Sequence, residues 1–235
     1  MNSTKATARF TGILYLLMGI TGAFSILYVP AAFIVRGDAT ATARKITDAA
    51  LTYRIGILSA LVGQILFIFL VLSLYNLLKD VNRKHAMLMV TLVSVSVSIG
   101  FINLLNQIAP LILLSGANFL SVFTKPQLDA LALGFLNLRS RGIAVESAFW
   151  GLWLFPFGIL VIKSGFFPKL LGILLIVAGF AYLTGSVASI VLPAHMHVVS
   201  QVTLPLEAGE LPMIIWLLVK GAKVQLPEAR PSHLS

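Results

Sequence analysis

The sequence lacks cysteine altogether and contains few charged residues. Its 235 residues include no Cys, and Asp, Glu, Lys and Arg together make up 11% of the chain. The absence of cysteine excludes disulfides, thiolate metal sites and cysteine nucleophiles. Soluble domains carry about 25% charged residues. With 58% hydrophobic residues and a mean hydropathy of +0.97, the chain is predicted to be an integral membrane protein.

Apolar segments long enough to cross a bilayer recur along the chain. A membrane helix needs about 20 apolar residues, and this criterion predicts an all-α fold with six transmembrane helices in one bundle. The first apolar run is too long for the core of a signal peptide and is predicted to be a retained span. We expect a single domain over residues 1–235, a short polar cytoplasmic tail at 221–235, and spans at about 10–35, 53–78, 86–114, 142–162, 170–192 and 202–219.

The distribution of basic residues predicts the orientation of these spans. The turns after the second and fourth spans are short and dense in Lys and Arg, which is typical of cytoplasmic loops. Both termini are therefore predicted to be cytoplasmic, in the plasma membrane (the inner membrane of a bacterium). The net charge of +9 suits anionic lipid headgroups. No basic cluster is interleaved with aromatic residues, so nucleic acid is not expected as a partner. The outer segments carry Arg36, Arg44, Lys45, Arg54, Lys125, Arg139 and Arg141.

The outer loop between the third and fourth spans contains a helix signal. Thr124 and Gln127 have the spacing of a capping box, with Pro126 in the first turn. An apolar stripe at helical spacing follows. These features predict a short amphipathic helix on the outer surface that caps the bundle or lies in the interface; a solvated helix without functional role is the alternative. The stripe comprises Leu128, Leu131, Ala132, Phe135 and Leu136.

Glycines recur at a spacing of two helical turns in two spans. Gly12 and Gly19 lie in the first span, and Gly172 and Gly179 in the fifth. Seven residues place each pair on one helix face, where small residues allow close packing between membrane helices.

The last apolar segment contains two carboxylates. Glu207 and Glu210 lie between Pro205 and Pro212, beside Gly209. A mid-membrane acidic residue costs roughly 2.5–3.5 kcal/mol on insertion scales, so it must face protein or water. The prolines and the glycine are expected to open a turn between two half-helices, as in the broken helices of transporters. The segment therefore predicts an intramembrane polar site.

Other polar and aromatic residues converge on the outer half of the membrane in this topology. Arg54 would pair with the two glutamates or extend towards headgroups, and the Asn residues would line the site or join helices. A buried carboxylate–arginine pair that only fixes helix packing is an alternative. The predicted binding residues are Glu207, Glu210, Glu146, Arg54, Asn103, Asn106, Trp150 and Tyr182.

A metal site is only weakly suggested by His195 and His197. Histidines two residues apart diverge on a helix, and no third histidine is nearby in the sequence. Neither a metal nor another cofactor is therefore predicted.

Short motifs spread over nearly the whole chain carry a family resemblance. They are Ala8 to Gly12, Leu14 to Leu16, Tyr53 to Gly56, Leu74 to Lys79, Val81 and Asn82, Phe149 to Gly151, Lys163 to Pro168, Leu171 and Gly172, Gly179 to Tyr182, Glu207 with Glu210, and Trp216 to Leu218. Together they resemble a family of small bacterial and archaeal membrane proteins, domain of unknown function 4386. The resemblance implies a multi-pass helical fold and supplies no reaction, ligand or catalytic residue.

The sequence favours a protein that binds or transports a small molecule, lipid or proton through an outward-facing polar cavity. Its expected partners are membrane lipids and a small-molecule or cationic ligand. A homo-oligomer or a partner membrane subunit is the expected protein assembly. One alternative is an accessory or structural membrane subunit that acts through a partner and whose carboxylates are structural. Another is an intramembrane hydrolase or transferase using His195 or His197 with a glutamate. The enzymatic reading is the less favoured, because the Gly-x-Ser-x-Gly and His-Glu-x-x-His motifs are absent.

Overall fold

The computed structural model describes residues 2–221, with side chains from residue 5 onwards. All regular secondary structure in this part of the chain is helical, as predicted. Apart from Gly221, the predicted polar tail lies outside the described residues. The α-helices are α1 Asn2–Ala23, α2 Val29–Phe33, α3 Ala39–Asp48, α4 Ala50–Leu78, α5 Arg83–Leu113, α6 Lys125–Lys163, α7 Lys169–Val191, α8 Met196–Glu207 and α9 Leu211–Val219.

Six helical segments are long and apolar enough to cross a membrane, which confirms the predicted multi-pass membrane protein. They are Lys5–Phe33, Ala50–Leu78, Arg83–Leu113, Lys125–Lys163, Lys169–Val191 and Pro193–Val219. Most ends lie within a few residues of the prediction. The fourth and sixth spans begin earlier than predicted, because their helices continue through polar sequence that interrupts the hydropathy without breaking the helix.

The prediction of a short separate helix between the third and fourth spans is wrong. The capping signal does start a helix at Lys125, and Gln127 Oε1 accepts a hydrogen bond from the Thr124 N–H at 2.8 Å. This helix is the beginning of α6, which runs without interruption to Lys163. The physical reason is that residues 137–142 contain polar side chains and one glycine but no proline, so every backbone hydrogen bond can continue.

A short helix that the sequence does not predict lies in the loop between the first and second spans. Helix α3 is capped by Asp38, whose Oδ1 accepts from the Ala41 N–H at 2.8 Å. Its buried residues include Ala43 and Ile46, and it packs against α6. The extended beginning of α6 therefore has a partner outside the apolar part of the bundle.

Helix α6 is the centre of the packing, and it contacts α5 and α7 most extensively. Two pairs of glycines let α6 and α7 approach closely: a Cβ on Gly158 would stand 2.7 Å from the Gly172 carbonyl oxygen, and a Cβ on Gly151 would stand 2.6 Å from that of Gly179. This confirms the packing role predicted for the two glycines of the fifth span.

Only one of the two glycines of the first span allows close helix packing. A Cβ on Gly12 would stand 2.9 Å from the Leu218 nitrogen on α9, so Gly12 does permit a close approach of backbones. Gly19 has open space where a Cβ would lie, so its predicted packing role is wrong.

The first and last spans both depart from regular α-helix. A π-helical segment, Phe24–Tyr28, joins α1 to α2. In the last span, a single 3₁₀ turn, Ala208–Glu210, separates α8 from α9 and confirms the turn predicted between the two prolines. π-Helical turns are frequent at functional sites, and both irregular segments border the cavity described next.

Candidate functional site

A cavity of about 380 Å³ lies inside the helix bundle, and all six spans contribute to its lining. Its volume is within the roughly 300–1,000 Å³ typical of small-molecule sites. Gly19 and Gly22 border it, and a Cβ on either would meet no atom within 4 Å, so their missing side chains leave the space open. Six of the eight predicted binding residues line this cavity: Asn103, Glu146, Trp150, Tyr182, Glu207 and Glu210.

The broken last span brings two carboxylates into the cavity. The Tyr15 hydroxyl of α1 donates a hydrogen bond to Glu210 Oε2, and Tyr182 of α7 lines the same cavity as both carboxylates. Glu207 faces α7, since a Cβ on Gly185 would stand 3.7 Å from Glu207 Oε1. Both carboxylates are half-buried. The hydrogen bond from the first span thus holds Glu210 at the cavity wall.

A third carboxylate, Glu146, enters the cavity from the central helix. It is buried, and its Oε1 accepts a hydrogen bond from Gln64 Nε2 on α4 at 2.7 Å. Gly100 on α5 makes room for this bond, since a Cβ there would stand 2.7 Å from Glu146 Oε1. Trp150 follows one turn later and packs edge-to-face with Tyr182, with ring centroids 6.1 Å apart. Glu146 and Trp150 therefore present a carboxylate and an aromatic surface side by side.

A buried arginine lies two turns before Glu146 on the same helix. Arg139 is 8% exposed and lines the cavity. Its Nε donates to Gln107 Oε1 at 2.8 Å, and its Nη2 donates to the Ser25 carbonyl oxygen at 3.0 Å. Asn103 Nδ2 donates to the Arg139 carbonyl oxygen at 3.0 Å. Neutral groups of α5 and the first span therefore hold both the side chain and the backbone of Arg139.

The π-helical segment explains why the Ser25 carbonyl is free to accept from Arg139. In an α-helix it would accept from the N–H of Val29, but that N–H bonds to the Phe24 oxygen instead. In a π-helix its partner would be residue 30, which is proline and has no N–H. A buried carbonyl without a partner is costly, and the guanidinium of Arg139 satisfies it.

A second, smaller cavity of about 190 Å³ adjoins the same arginine. Arg139 borders both cavities, and the lining of the smaller one also includes Gln107 and Tyr53. The Tyr53 hydroxyl donates to the Gln107 carbonyl oxygen at 2.8 Å. Among the described residues, no Asp or Glu lines the smaller cavity. The described linings thus differ in charge, because carboxylates belong to that of the larger cavity and not to that of the smaller one.

Two predicted binding residues lie outside the larger cavity. Arg54 is exposed and forms no ion pair in the described chain, so its predicted pairing with Glu207 or Glu210 is not found. The reason is that Arg54 lies on the exposed face of α4, whereas Gln64 lies on the face that lines the cavity. Asn106 is half-buried and donates from Nδ2 to Asn103 Oδ1 at 3.0 Å. It therefore contacts a residue that lines the cavity without lining the cavity itself.

The two histidines are also remote from the carboxylates. His195 and His197 are exposed and do not line either cavity. In the part of the chain that the structure describes, no group of three or more His, Cys, Asp or Glu residues could hold a metal ion.

Four residues of the site are absent from the predicted binding residues: Tyr15, Gln64, Gln107 and Arg139. The predicted topology places Arg139 in the loop before the fourth span, where burial is not expected. A signal for Arg139 did exist, because Arg139 and Glu146 are seven residues apart and share a helix face. Nothing in the sequence indicates Tyr15, whose role depends on the contact between the first and last spans.

The three cavity glutamates have no cationic partner within the described residues. Ion pairs there join only Arg44 to Asp48 and Lys125 to Asp129. A hydroxyl donates to Glu210 and an amide donates to Glu146 instead. The cavity consequently contains three acidic groups and one arginine, none of them paired with an opposite charge.

The family model described as Domain of unknown function (DUF4386) matches residues 10–221, and the chain belongs to this family. No curated protein and no solved structure matches the chain.

Proposed function

We propose that this member of the DUF4386 family is a membrane protein that binds a small organic cation in the larger cavity. Glu207 and Glu210 would recognise the positive charge, and Glu146 would add a third carboxylate. The observation that carries the proposal is that all three line one cavity without an ion-pair partner in the described chain. A cationic ligand would supply the missing positive charge, because the neutral donors that contact Glu146 and Glu210 do not balance the negative charge of a carboxylate removed from water.

The aromatic lining supports a cation as the ligand. Trp150, Trp153 and Tyr182 border the cavity together with the carboxylates. Indole and phenol rings attract cations through their faces, and the attraction increases when water is excluded.

We further propose that the cavity opens to the outer side of the plasma (inner) membrane and that both termini are cytoplasmic. The burial of Arg139 supports this orientation, because it removes one positive charge from the outer loops. The 3₁₀ turn beside Glu210 is consistent with transport of the ligand, since transporters interrupt the α-helix at their binding sites.

Ligand titration of the purified full chain tests the proposal. Two of the three tryptophans line the cavity, so intrinsic fluorescence can report binding. We expect n-butylammonium to bind saturably and with at least tenfold lower affinity, about 1.4 kcal/mol, in Glu207→Gln and Glu210→Gln. Asp48→Asn is the control, because this exposed carboxylate pairs with Arg44 away from the cavity.

Absence of saturable binding in the unmodified protein would contradict the proposal. So would equal affinities in both Gln variants and the control. An accessory subunit that acts through a partner, the main alternative, would instead copurify with a second chain in fixed stoichiometry.

A further inference from the structure

We propose that the natural ligand is a zwitterion, whose ammonium group lies among the glutamates of the larger cavity and whose carboxylate or phosphate lies at Arg139 and Gln107. This inference rests on the proposed function and names the class of ligand that the same site would select. It follows from the unused donors around Arg139 and from the difference in charge between the two cavities.

Arg139 retains donors that no described residue uses. Its Nε and Nη2 each donate to a neutral oxygen, whereas Nη1 has no hydrogen bond within the described chain. No carboxylate pairs with it there. A guanidinium is a planar fork of donors that matches carboxylate and phosphate oxygens. A buried, unpaired guanidinium at a cavity wall is therefore suited to an anionic group of a ligand.

Gln107 adds a second unused donor on the same side. It is 1% exposed, and its Nε2 has no partner in the described chain. The orientation of this amide is fixed, because its Oε1 already accepts from Arg139 Nε at 2.8 Å. Gln107 and Arg139 both belong to the lining of the smaller cavity, and no acidic residue of the described chain belongs to it. An anion there would meet donors without repulsion from a carboxylate in that lining.

The larger cavity offers the complementary set of acceptors. Glu146, Glu207 and Glu210 line it, and the buried Oε1 of Gln64 has no partner in the described chain. A primary ammonium group has N–H donors that could satisfy both the carboxylates and this amide oxygen. Gln64 therefore favours a primary ammonium over a quaternary one.

The spacing along α6 limits the size of the ligand. Arg139 and Glu146 are seven residues apart, so their backbones are separated by roughly 10 Å along the helix axis. Both side chains reach towards the same cavity. A short molecule with an ammonium group at one end and an anionic group at the other could contact both. Free ω-amino acids, aminoalkyl phosphates and the phosphoethanolamine headgroup of a lipid share this chemistry.

A matched set of four-carbon probes tests the inference. We expect 4-aminobutanoate to quench the tryptophan fluorescence of the full chain with at least tenfold higher affinity than n-butylammonium, which lacks the carboxylate. Butyrate, which lacks the ammonium group, should bind more weakly than either. Equal affinities for 4-aminobutanoate and n-butylammonium would overturn the inference and leave the proposed function intact. Failure of both to bind would overturn both proposals.

Two variants locate the anionic end. Gln107→Glu retains the oxygen that accepts from Arg139 Nε while it removes the Nε2 donors and places a carboxylate beside the guanidinium. We expect it to fold and to lose the tenfold preference for 4-aminobutanoate while it still binds n-butylammonium. Arg139→Gln should do the same, whereas Arg141→Gln, an exposed arginine two residues away, should retain the preference. Retention of the preference in Gln107→Glu would contradict the inference.

Lipid composition distinguishes the two sources of such a ligand. The chain is reconstituted in nanodiscs of phosphatidylcholine and phosphatidylglycerol, with or without phosphatidylethanolamine. If a lipid headgroup is the ligand, phosphatidylethanolamine should weaken binding of O-phosphoethanolamine at least tenfold. If the ligand is a free solute, the affinity should be the same in both. Absence of O-phosphoethanolamine and 4-aminobutanoate binding in either membrane would contradict the zwitterion.

Discussion

The side chain of Asn103 on α5 occupies the space that a Cβ on Gly142 of α6 would fill. From this position Asn103 Nδ2 reaches the Arg139 carbonyl oxygen at 3.0 Å, one turn before Gly142 on α6. A polar side chain can thus cross the interface between two helices only because the facing residue has no side chain. The glycine determines where the backbone of the buried arginine is held.

Replacement of Gly142 should therefore destabilise the protein. We expect Gly142→Ala to lower the free energy of unfolding by about 1–3 kcal/mol, because the added methyl group would displace a packed amide. Gly134→Ala on the same helix is the control, since a Cβ there meets no atom within 4 Å. Alanine is a better helix former, so this control should gain up to about 1 kcal/mol. Unfolding by sodium dodecyl sulfate in mixed micelles measures both values; similar changes in the two variants would contradict the packing argument.

The contact between α6 and α7 depends on a second set of glycines. A Cβ on Gly172 would stand 2.6 Å from the Gly158 carbonyl oxygen, which is backbone and can move only if the helices separate. We expect Gly172→Ala to cost about 1–3 kcal/mol in the same unfolding measurement. Gly185→Ala on the same helix should be nearly neutral, because the nearest atom to its Cβ would lie at 3.7 Å. A stable Gly172→Ala protein would show that the two helices can separate at little cost.

Arg139 should also contribute to stability, apart from any ligand. Arg139→Gln would leave the Ser25 carbonyl and Gln107 Oε1 without their donor. A hydrogen bond to a charged group contributes about 1.5–3 kcal/mol, and removal of the buried charge offsets part of the loss, so we expect a net destabilisation of about 2 kcal/mol. Arg141→Gln should change stability by less than about 1 kcal/mol, because Arg141 is exposed and water can replace its hydrogen bond to the Ser189 carbonyl oxygen. A larger effect of Arg141→Gln than of Arg139→Gln would contradict the assigned contacts.

The sequence predicts the parts of this fold that depend on local physics. Span count follows from hydropathy, the start of α6 from the capping residues, and the break near Glu210 from Pro205, Gly209 and Pro212. Each of these signals lies within a few residues of its effect. The sequence also indicates that these polar and aromatic residues lie close together, because the predicted topology places them at a similar depth. Six of them do line one cavity.

What the sequence could not predict depends on rotation of one helix against another. Arg54 and Arg139 both lie within a few residues of a predicted span boundary, yet one is exposed and the other buried. Hydropathy does not distinguish them, because it sums over all faces of a helix. Hydropathy also fails to predict the continuity of α6, because polar residues lower the local hydropathy without weakening the helix.

The chain contains no cysteine, so single cysteine substitutions can test the access route to the cavity without background labelling. We expect a membrane-impermeant thiol reagent to label Glu210→Cys and Glu207→Cys in intact cells, because both side chains border a cavity proposed to open outwards. Ser121→Cys, exposed in the loop before α6, should label under the same conditions. Asp80→Cys, exposed in the loop between α4 and α5, should label only after permeabilisation. The reverse pattern for the two loop positions would contradict the proposed orientation. Protection of both glutamate positions, with Ser121→Cys labelled, would contradict an open path to the carboxylates.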